Sequence, residues 1–448
     1  MKTIRYGTAD YRRFIGALPR ASAPAKLVDK TVAAILSAVR KEGDRALVRL
    51  TAKHDGVRLT KERIRVPASE IRTLAAKADR ELVAALRRMA GRIEAFHRRQ
   101  VETGFSMRLP DGSTYAEVVR PVESAGLYVP GGAGAYPSSV LMNAIPARVA
   151  GVGRLAIATP PRTLEGNPAV AAALVVAGVE GEVYRVGGAQ AIAALAYGTE
   201  TVRPVQVIVG PGNAWVACAK RYVRGQVAID NEAGPSEVAI LADSSADAGY
   251  VAVDLLAQAE HGSGDETVVL VTPDEDLAAE VVRLVEEGVA AAANPVSTRR
   301  ALAHRSAVIL VRDIEEGLIV INTLAAEHAE IQTRDAQRVA ERVVAGAVFV
   351  GPFSPVAVGD YGVGPNHVLP TGGAARFASP LSVRDFVRRQ SVVELSIKGL
   401  RRVAGDVVRV AKAEGFPAHA QSVLTRLESE GAGAMTADRK PARKGRRR

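Results

Sequence analysis

The apolar positions along the chain change their spacing near residue 125. Before that point they recur every three or four residues, which is typical of amphipathic helices. Over 27–52 this spacing predicts one long helix, whose apolar face contains Val32, Ile35, Leu36 and Val39. The sequence predicts four further elements in this part: a short helix within 1–25, a charged helix within 66–104, and two strands around the turn at 110–113.

Beyond residue 125, short apolar runs alternate with Ala-rich stretches. Runs such as RLAIATPP, VQVIVGPG, SEVAILAD and TVVLVT are long enough for buried strands, and the segments between them are long enough for helices. Alternation of strand and helix is typical of a parallel sheet. The alternation occurs in two series. The sequence therefore predicts an α/β fold with two Rossmann-like parallel-sheet domains and small helical segments at the N- and C-terminal ends.

Composition places the chain among globular proteins with more than one domain. It has 448 residues, of which 48% are hydrophobic and 24% charged, and this length exceeds what one hydrophobic core usually holds. The single cysteine, Cys218, excludes an intrachain disulfide and fits a reducing cytoplasm. The sequence has neither a secretory signal nor an apolar run of about 18 residues, so we expect no membrane span.

The net charge of +11 raises the possibility of a nucleic-acid-binding protein. The last eleven residues, DRKPARKGRRR, carry +6 of that charge, so the other 437 residues carry only +5. We interpret residues 433–448 as a disordered basic tail. Aromatic residues make up 4% of the chain, too few for base-stacking surfaces. We therefore expect no specific nucleic-acid partner.

Three glycine-bearing loops precede predicted helices, at 128–140, 186–195 and 209–220. The first turn of a helix offers free N–H groups to phosphate, and glycine lets the backbone approach a ligand closely. Any one of these loops could be a tight connection and nothing more. Together they favour a nucleotide cleft, with Tyr128, Gln190 and Asn213 as candidate contacts.

Gln258 and His261 lie three residues apart at the predicted end of a helix over 247–261. Side chains at this spacing share a helix face, the carboxyl end of a helix favours a cation, and Gly262 is a helix terminator. A metal site is one interpretation of the pattern. A polar helix end that faces water is the other, and the spacing alone favours it.

Three other segments place acids beside histidines. Glu327 and His328 interrupt an apolar run, where they could supply acid–base chemistry. Asp360 and His367 lie in a long Gly- and Pro-rich loop, and Glu414 and His419 flank a break between helices. Exposed loop, turn and cap positions are the alternative for the three pairs, and for Glu327 and His328 the sequence alone favours an exposed loop. Gln, His, Asp and His would suit zinc as a set.

Eight stretches together resemble the histidinol dehydrogenase family and occur in the order of that family, over about residues 25–430. Because so many long motifs match, the resemblance is more specific than any one loop. The stretches are GLYVPGGAGAYPSSVLMNAIPARVAGV, VGGAQAIAALAYGTE, VGPGNAWVACAKR, AGPSEVAILAD, QAEHG, EHAEIQ, GDYGVGPNHVLPT and EGFPAHAQSV.

The resemblance implies oxidation of L-histidinol to L-histidine through L-histidinal, with two NAD+ per substrate and one zinc ion per subunit. It implies catalytic roles for Glu327 and His328. The other implied roles follow by group: NAD contacts at Tyr128, Gln190 and Asn213; zinc ligands at Gln258, His261, Asp360 and His419; substrate contacts at Ser236, Gln258, His261, His328, Asp360, His367, Glu414 and His419.

The resemblance also implies an intertwined homodimer in which Glu414 and His419 complete the neighbour's site. With the apolar pattern, it divides the chain into an N-terminal segment, two Rossmann-like domains, a C-terminal dimer segment and the tail. The corresponding ranges are 1–25; 26–126 with 237–380, carrying the catalytic and metal residues; 127–236, binding NAD; 381–432; and 433–448.

Two departures from the family pattern lie near the expected pocket, at Asn231-Glu232 and in HGSGD after His261. They leave open a related enzyme that oxidises another small alcohol, such as a sulfonated diol, with NAD. A polyanion-binding protein and a purely structural dimer are further alternatives. The structural dimer would leave the clustered loops and acid–His pairs without a purpose.

Overall fold

The computed structural model describes residues 1–18, 26–131, 136–232 and 234–437. It divides into two compact units, one formed by 1–101 with 121–387 and the other by 102–120 with 388–448. The strands within the described residues are β1 (Lys2–Arg5), β2 (Arg65–Val66), β3 (Phe105–Arg108), β4 (Thr114–Pro121), β5 (Ser124–Tyr128), β6 (Arg154–Thr159), β7 (Val183–Arg185), β8 (Val207–Val209), β9 (Ala228–Ile229), β10 (Glu237–Ala242), β11 (Thr267–Thr272), β12 (Ser306–Leu310), β13 (His328–Gln332), β14 (Ala347–Val350) and β15 (Val387–Glu394).

The helices surround these strands, and short 3-10 turns lie at Lys61–Arg63, Val289–Ala291, Ala374–Arg376 and Val383–Phe386. The α-helices are α1 (Ala9–Ala17), α2 (Lys26–Glu42), α3 (Asp44–His54), α4 (Ala68–Ala75), α5 (Arg80–Arg98), α6 (Pro137–Ala150), α7 (Pro161–Gly166), α8 (Pro168–Ala177), α9 (Gly188–Tyr197), α10 (Ala214–Val223), α11 (Ala248–Ala259), α12 (Glu275–Gly288), α13 (Pro295–His304), α14 (Ile314–Leu324), α15 (Ala336–Ala340), α16 (Val356–Tyr361), α17 (Ile397–Ala413) and α18 (Pro417–Ala437).

The first unit contains a six-stranded parallel sheet in the order β1-β12-β11-β10-β13-β14. Along its central strand β10, Val238 and Ile240 pack into a core on one face, and Ala239 and Leu241 pack into a core on the other. Helices cover both faces, which explains why the strand is apolar at nearly every position. We call this the catalytic sheet.

A second six-stranded sheet of the same unit has the order β2-β7-β6-β5-β8-β9. Its strands are parallel except β2, which pairs antiparallel with β7. We call this the glycine-loop sheet, because the three glycine-bearing loops follow β5, β7 and β8. The prediction of an α/β fold with two parallel sheets is confirmed.

Helices α2, α3 and α5 pack differently from the predicted grouping of 26–126 with 237–380. Val32 of α2 and Leu47 of α3 lie in one core with Ile192 of α9, and Ile93 of α5 lies in another with Leu127 of β5. These helices therefore cover the glycine-loop sheet. An apolar helix face does not encode which of two similar sheets it will cover, so the sequence pattern could not make this assignment.

The second unit contains the antiparallel hairpin of β3 and β4, which confirms the two strands predicted around 110–113. Strand β15 joins β4 to give the order β15-β4-β3. Helices α17 and α18 contact each other in the same unit. The expectation of a mostly helical segment at 381–432 was thus incomplete, because β15 lies within it.

Three other expectations need correction. Residues 1–18 begin with strand β1 before helix α1, while 19–25 lie outside the described residues. The helix expected over 27–52 is two helices, separated at Gly43, whose φ of +55° lies in the left-handed region. Residues 433–437 continue helix α18, and the rest of the expected disordered tail lies outside the described residues. No helix in the described part of the chain is long and apolar enough to cross a membrane.

Candidate active site

The predicted catalytic pair lies at the edge of the catalytic sheet where its strands begin. Glu327 directly precedes β13, and His328 is the first residue of that strand, beside Val238 of the neighbouring β10. The peptide N–H of Glu237 donates to Glu327 Oε2 over 3.0 Å, and the peptide N–H of Glu327 donates to Glu237 Oε2 over 3.2 Å. The pair is therefore held by the adjacent strand.

The Glu327 carboxyl is buried beside other acids. Burial, assisted by the nearby charges of Glu237 and Asp360, raises the pKa of Glu327 well above its usual value. The hydroxyl of Ser236 hydrogen-bonds this carboxylate and opposes the rise. Ser236, which was predicted to contact substrate, thus lies next to the catalytic pair.

The His328 ring is also buried, with Nδ1 at 3.0 Å from the carbonyl oxygen of Glu237. A carbonyl can only accept, so Nδ1 carries the hydrogen and Nε2 carries the lone pair. Burial lowers the pKa of His328 to about 4, although the charge of Asp360 acts in the opposite direction. The imidazole is therefore neutral near pH 7 and can accept a proton at Nε2.

Gln258 lies in the last turn of α11, the helix that leads back from the carboxyl end of β10 to the edge where the pair lies. The helix ends at Ala259, so His261 lies two residues beyond it and not in its last turn as expected. The ring of His261 folds back, with Nδ1 at 3.0 Å from the Gln258 carbonyl oxygen. Gly262, with φ at +97°, makes the expected stop.

Asp360 and His367 approach from the segment after β14. Asp360 lies in the short helix α16, although a loop was expected, and His367 lies in the loop that follows. A Cβ at the adjacent Gly359 would lie 2.6 Å from Cζ of Phe349, whose ring centroid lies 6.0 Å from that of His328. Helix α16 therefore packs against the ring that borders His328.

The position of His367 depends on its buried neighbour. The side-chain N–H of Asn366 donates to the carbonyl of Met142 over 2.7 Å, and its carbonyl accepts from the N–H of Val368 over 2.9 Å. These bonds fix the loop to helix α6. Burial lowers the pKa of His367, and Asp360 and His261 are both close enough to affect it. His261, His328, Asp360 and His367 thus form one electrostatically connected cluster, and Glu327 joins it through Asp360.

A cavity of about 1180 Å³ opens at this cluster, lined by His328, Asp360 and His367. Asn231 and Glu232, the residues that depart from the expected pattern, line it too. They are not loose in the pocket, because Asn231 donates to the carbonyl of Ser379 over 2.8 Å and Glu232 pairs with Arg221. The cavity is large enough for a small polar substrate with part of a cofactor.

The side chains that could bind a metal combine one amide, one imidazole and one carboxylate in the first unit. Both side-chain polar atoms of Gln258 are buried, and neither has a hydrogen-bond partner among the described residues. A buried amide without partners is costly, so its oxygen is fitted to a ligand. His261 has Nε2 left to coordinate, since Nδ1 faces a carbonyl. Gln258, His261 and Asp360 therefore fit a cation as a donor set.

The fourth expected ligand, His419, and the expected substrate contact Glu414 belong to the second unit. Both side chains are exposed, and the His419 ring lies 5.3 Å from that of Phe416. Among the described residues, no group of three His, Cys, Asp or Glu side chains is arranged to hold a metal. The expected set contains only two such residues in the first unit, so a complete site would need a further donor.

The predicted NAD contacts meet in a separate cavity of about 700 Å³, at the edge where strands of the glycine-loop sheet end. It is lined by Tyr128 at the end of β5, Gln190 at the start of α9, and Asn213 before α10. Strand order reverses between β5 and β8, which is where α/β sheets commonly bind ligands. The expectation of one cleft formed by the three loops agrees with this geometry.

Each of these three residues also has a structural contact. The Tyr128 hydroxyl accepts from the N–H of Gly188 over 3.0 Å, and burial raises the pKa of Tyr128 to about 12. Asn213 Oδ1 caps α10 by accepting from the N–H groups of Trp215 and Val216 at 3.1 and 3.2 Å. Its amide nitrogen is then the group directed to other partners.

The comparisons with known proteins agree with this geometry. The sequence model of the family described as Histidinol dehydrogenase matches residues 18–427. The chain belongs to the histidinol dehydrogenase family. Histidinol dehydrogenase of Syntrophotalea carbinolica is 45% identical over 432 residues, which cover 96% of this chain and 99% of the relative. That of Thermosynechococcus vestitus is 47% identical over 400 residues, covering 89% and 92%.

A solved structure gives the same result. The crystal structure of histidinol dehydrogenase from Elizabethkingia anophelis matches with a TM-score of 0.88 and 34% identity, covering 96% of this chain and 99% of that one. The described fold is therefore that of the histidinol dehydrogenase family, and the chain is an oxidoreductase.

Some residues around the histidinol dehydrogenase site were missed by the sequence reasoning. Glu237 contacts both residues of the predicted catalytic pair, yet in sequence it is only a polar residue before an apolar run. Asp55 lines the dinucleotide cavity and lies 3.5 Å from Nε2 of Gln190. Glu330 follows His328 by two residues, on the same face of β13, and hydrogen-bonds to Asp254 of α11. Only the tertiary pairing of strands and helices shows these contacts.

Proposed function

We propose that the protein oxidises L-histidinol to L-histidine through L-histidinal, the last steps of histidine biosynthesis, with two NAD+ per substrate. The observation that carries the proposal is the neutral, oriented His328 beside the buried Glu327, in a cavity that Asp360 and His367 also line. Family membership over residues 18–427 adds support. The cytoplasm is the compartment we infer.

His328 is the proposed base in both oxidations. In the first, Nε2 takes the hydroxyl proton of the alcohol as the carbinol carbon loses hydride. In the second, it takes a hydroxyl proton of the hydrated aldehyde as hydride leaves again. The depressed pKa of His328, about 4, keeps Nε2 unprotonated for both events. The carbonyl of Glu237 stabilises the tautomer that this requires.

Glu327 is the proposed activator of the water that hydrates L-histidinal between the two oxidations. Its carboxylate receives hydrogen bonds from the Glu237 N–H and from Ser236, which orient it. The raised pKa makes Glu327 a stronger base than an exposed carboxylate. Burial of the cluster also excludes bulk water, so that the aldehyde is not lost to solvent.

We infer that Gln258, His261, Asp360 and His419 hold one zinc ion. Zinc bound there would hold the imidazole and amine of the substrate and so fix the carbinol carbon. The Gln258 amide, which is buried and unpaired within the described part of the chain, supports this donor set. Ser236, His367 and Glu414 are the further side chains proposed to contact the substrate.

We infer that NAD+ occupies the cavity lined by Tyr128, Gln190 and Asn213. NAD+ accepts the hydride of each oxidation. Glycine is needed at position 210 for the packing of the segments after β5 and β8, because a Cβ there, where φ is +119°, would meet the carbonyl oxygen of Tyr128. The amide nitrogen of Asn213 would bind a polar group of the dinucleotide, since its Oδ1 already accepts from the N–H groups of Trp215 and Val216.

We also propose that the active protein is an intertwined homodimer, in which Glu414 and His419 complete the site of the partner. The second unit supports this with several exposed apolar side chains, including Val393, Val407, Val410 and Phe416. Such a surface is typical of an interface. In such a dimer, His419 would be the further donor needed beside Gln258, His261 and Asp360.

The test is an assay of purified protein for NADH formed per L-histidinol, with zinc measured on the same sample. We expect two NADH per substrate and one zinc per chain. One NADH per substrate would indicate an ordinary alcohol dehydrogenase. Turnover of a sulfonated diol in place of histidinol would support the alternative family member.

A further inference from the structure

Glu237 is the residue that binds both catalytic side chains, and the proposed mechanism gives it no chemical step. It is 6% exposed and opens β10 at the point where β13 begins alongside. Its N–H donates to the Glu327 carboxylate, its carbonyl accepts from the His328 ring, and its carboxylate accepts from the Glu327 N–H. Three contacts therefore connect one residue to the pair.

Two of these contacts come from the main chain and one from the side chain. Any residue at 237 would supply the N–H and the carbonyl, but only if β10 and the start of β13 keep their spacing. The carboxylate bridges the two strands from the other direction, since it receives the Glu327 N–H over 3.2 Å and a further N–H from Gly372. The side chain therefore holds the peptide on which both catalytic side chains depend.

Stability alone does not account for a carboxylate at this position. Burying an acid is costly, and a second buried acid, Glu327, lies against it. The opposite side of Glu237 borders a cavity of only about 20 Å³, shared with Thr267 and Arg376, so solvation there is at most about one water. The unfavourable burial of the Glu237 carboxylate therefore points to a role in the function of the pair.

We propose that Glu237 is a positioning residue, whose carboxylate bridges to the Glu327 peptide and so sets the Glu327 carboxylate and His328 Nε2 in their working places. The catalytic effect expected from this positioning rests on the proposed function. It concerns geometry, however, and its structural readout does not depend on the substrate. A displacement of about 1 Å at a reacting group commonly costs about 100-fold in rate.

The test compares two variants of the full-length, zinc-loaded protein. Glu237→Gln keeps an acceptor for the Glu327 N–H at the same length. Glu237→Met keeps the length and removes the acceptor. We expect the kcat of Glu237→Gln to stay within about tenfold of the starting protein, the scale of one altered hydrogen bond, and the kcat of Glu237→Met to fall about 100-fold for both histidinol and histidinal.

KM for substrate and for NAD+ should change little in either variant, because Glu237 lines neither proposed binding surface. Glu316→Met is the matched control. Glu316 is a buried carboxylate on α14 that accepts from the N–H of Arg312 over 2.8 Å and has no contact to the pair. Its replacement should lower stability comparably and leave kcat unchanged.

Crystal structures of the two Glu237 variants provide the second readout. We expect the Glu327 carboxyl and the His328 ring to superimpose in Glu237→Gln and to move in Glu237→Met. An unmoved pair, full activity in Glu237→Met, or equal losses in both variants would overturn the proposal. Failure of the unsubstituted protein to oxidise histidinol would instead overturn the proposed function, and the structures would still decide whether Glu237 positions the pair.

Discussion

The ring nitrogen Nδ1 of His328 lies 3.0 Å from the main-chain carbonyl oxygen of Glu237. This bond assigns the hydrogen to Nδ1 and leaves the lone pair on Nε2. The tautomer of His328 therefore depends on the pairing of the two strands, because the carbonyl belongs to β10 and the ring to β13. The side chains of Glu327 and His328 are therefore held in place by the sheet.

Substitutions of His328 and of Glu327 should affect the two proposed oxidations differently. His328→Ala removes the base used in both oxidations, so we expect turnover of histidinol and of histidinal to fall about 10²–10⁴-fold each, the usual range for a general base. Glu327→Gln keeps an acceptor for the Glu237 N–H and removes only the basic carboxylate. Histidinal oxidation should then fall by at least tenfold more than histidinol oxidation.

Single-turnover formation of NADH with each substrate measures the two steps separately. Pre-steady-state traces with histidinol should show the first NADH formed at nearly normal rate in Glu327→Gln, followed by a slow second phase. Equal slowing of both phases would assign Glu327 to a role shared by the two oxidations and would contradict the proposed division.

Asn213 caps α10 and is also proposed to contact NAD+, so substitutions can test the two roles separately. Asn213→Asp retains the oxygen that caps α10, because aspartate is as good an N-cap as asparagine. It loses the N–H donor and adds a negative charge where a dinucleotide is proposed to bind. We expect KM for NAD+ to rise about tenfold or more with the melting temperature unchanged.

Asn213→Ala is the comparison for this experiment. It removes the cap together with the donor, so the free energy of unfolding should also fall, by about 1 kcal/mol. Thermal unfolding and NAD+ titration of both variants provide the measurement. If Asn213→Asp binds NAD+ normally, the residue is only a helix cap.

Local patterns were sufficient to predict the glycine-bearing loops, buried strands after residue 125 such as β6, β8, β10 and β11, and the clustering of Tyr128, Gln190 and Asn213, but not the strands β1 and β15. Glycines, caps and apolar runs act within a few residues, so one sequence shows them. The pairing of Glu237 with Glu327 could not be predicted in the same way, because it joins residues 90 positions apart. The sequence also could not show which sheet helices α2 and α5 cover, because their apolar faces fit either sheet.

Gln258 gives a test of the metal site that does not depend on turnover. Its amide is buried and has no hydrogen-bond partner among the residues that the structure describes, so Gln258→Leu should be as stable as the starting protein, or more stable, when both are stripped of metal by a chelator. An unpartnered buried polar group costs about 1–3 kcal/mol. Added zinc should raise the melting temperature of the starting protein much more than that of the variant.

Activity provides the matching prediction for metal. Chelation should abolish histidinol oxidation, and zinc should restore it in the starting protein alone. Zinc content by atomic emission shows whether Gln258→Leu retains the ion. Turnover that survives complete zinc removal would exclude the proposed placement of substrate by zinc.

The pair of Asp254 and Glu330 predicts a pH dependence of stability. Burial and the adjacent Asp254 raise the pKa of Glu330 above its usual value, since one proton is shared between the two carboxyls. The unfolded chain ionises in the ordinary carboxyl range while the folded chain keeps its proton. Stability is therefore full at low pH and falls as pH rises toward the folded pKa.

Glu330→Gln should flatten that decline. The amide can donate to Asp254 in place of the shared proton and can accept from Gln332 as the carboxylate does at 2.9 Å, and it has no proton to lose. In urea unfolding with excess zinc, the starting protein should lose up to about 1.4 kcal/mol per pH unit relative to Glu330→Gln between pH 6 and about 9. Glu316→Gln is the control, because Arg312 lowers the pKa of Glu316 and its titration lies below this range. Parallel pH profiles for Glu330→Gln and the starting protein would mean that no proton is held between α11 and β13.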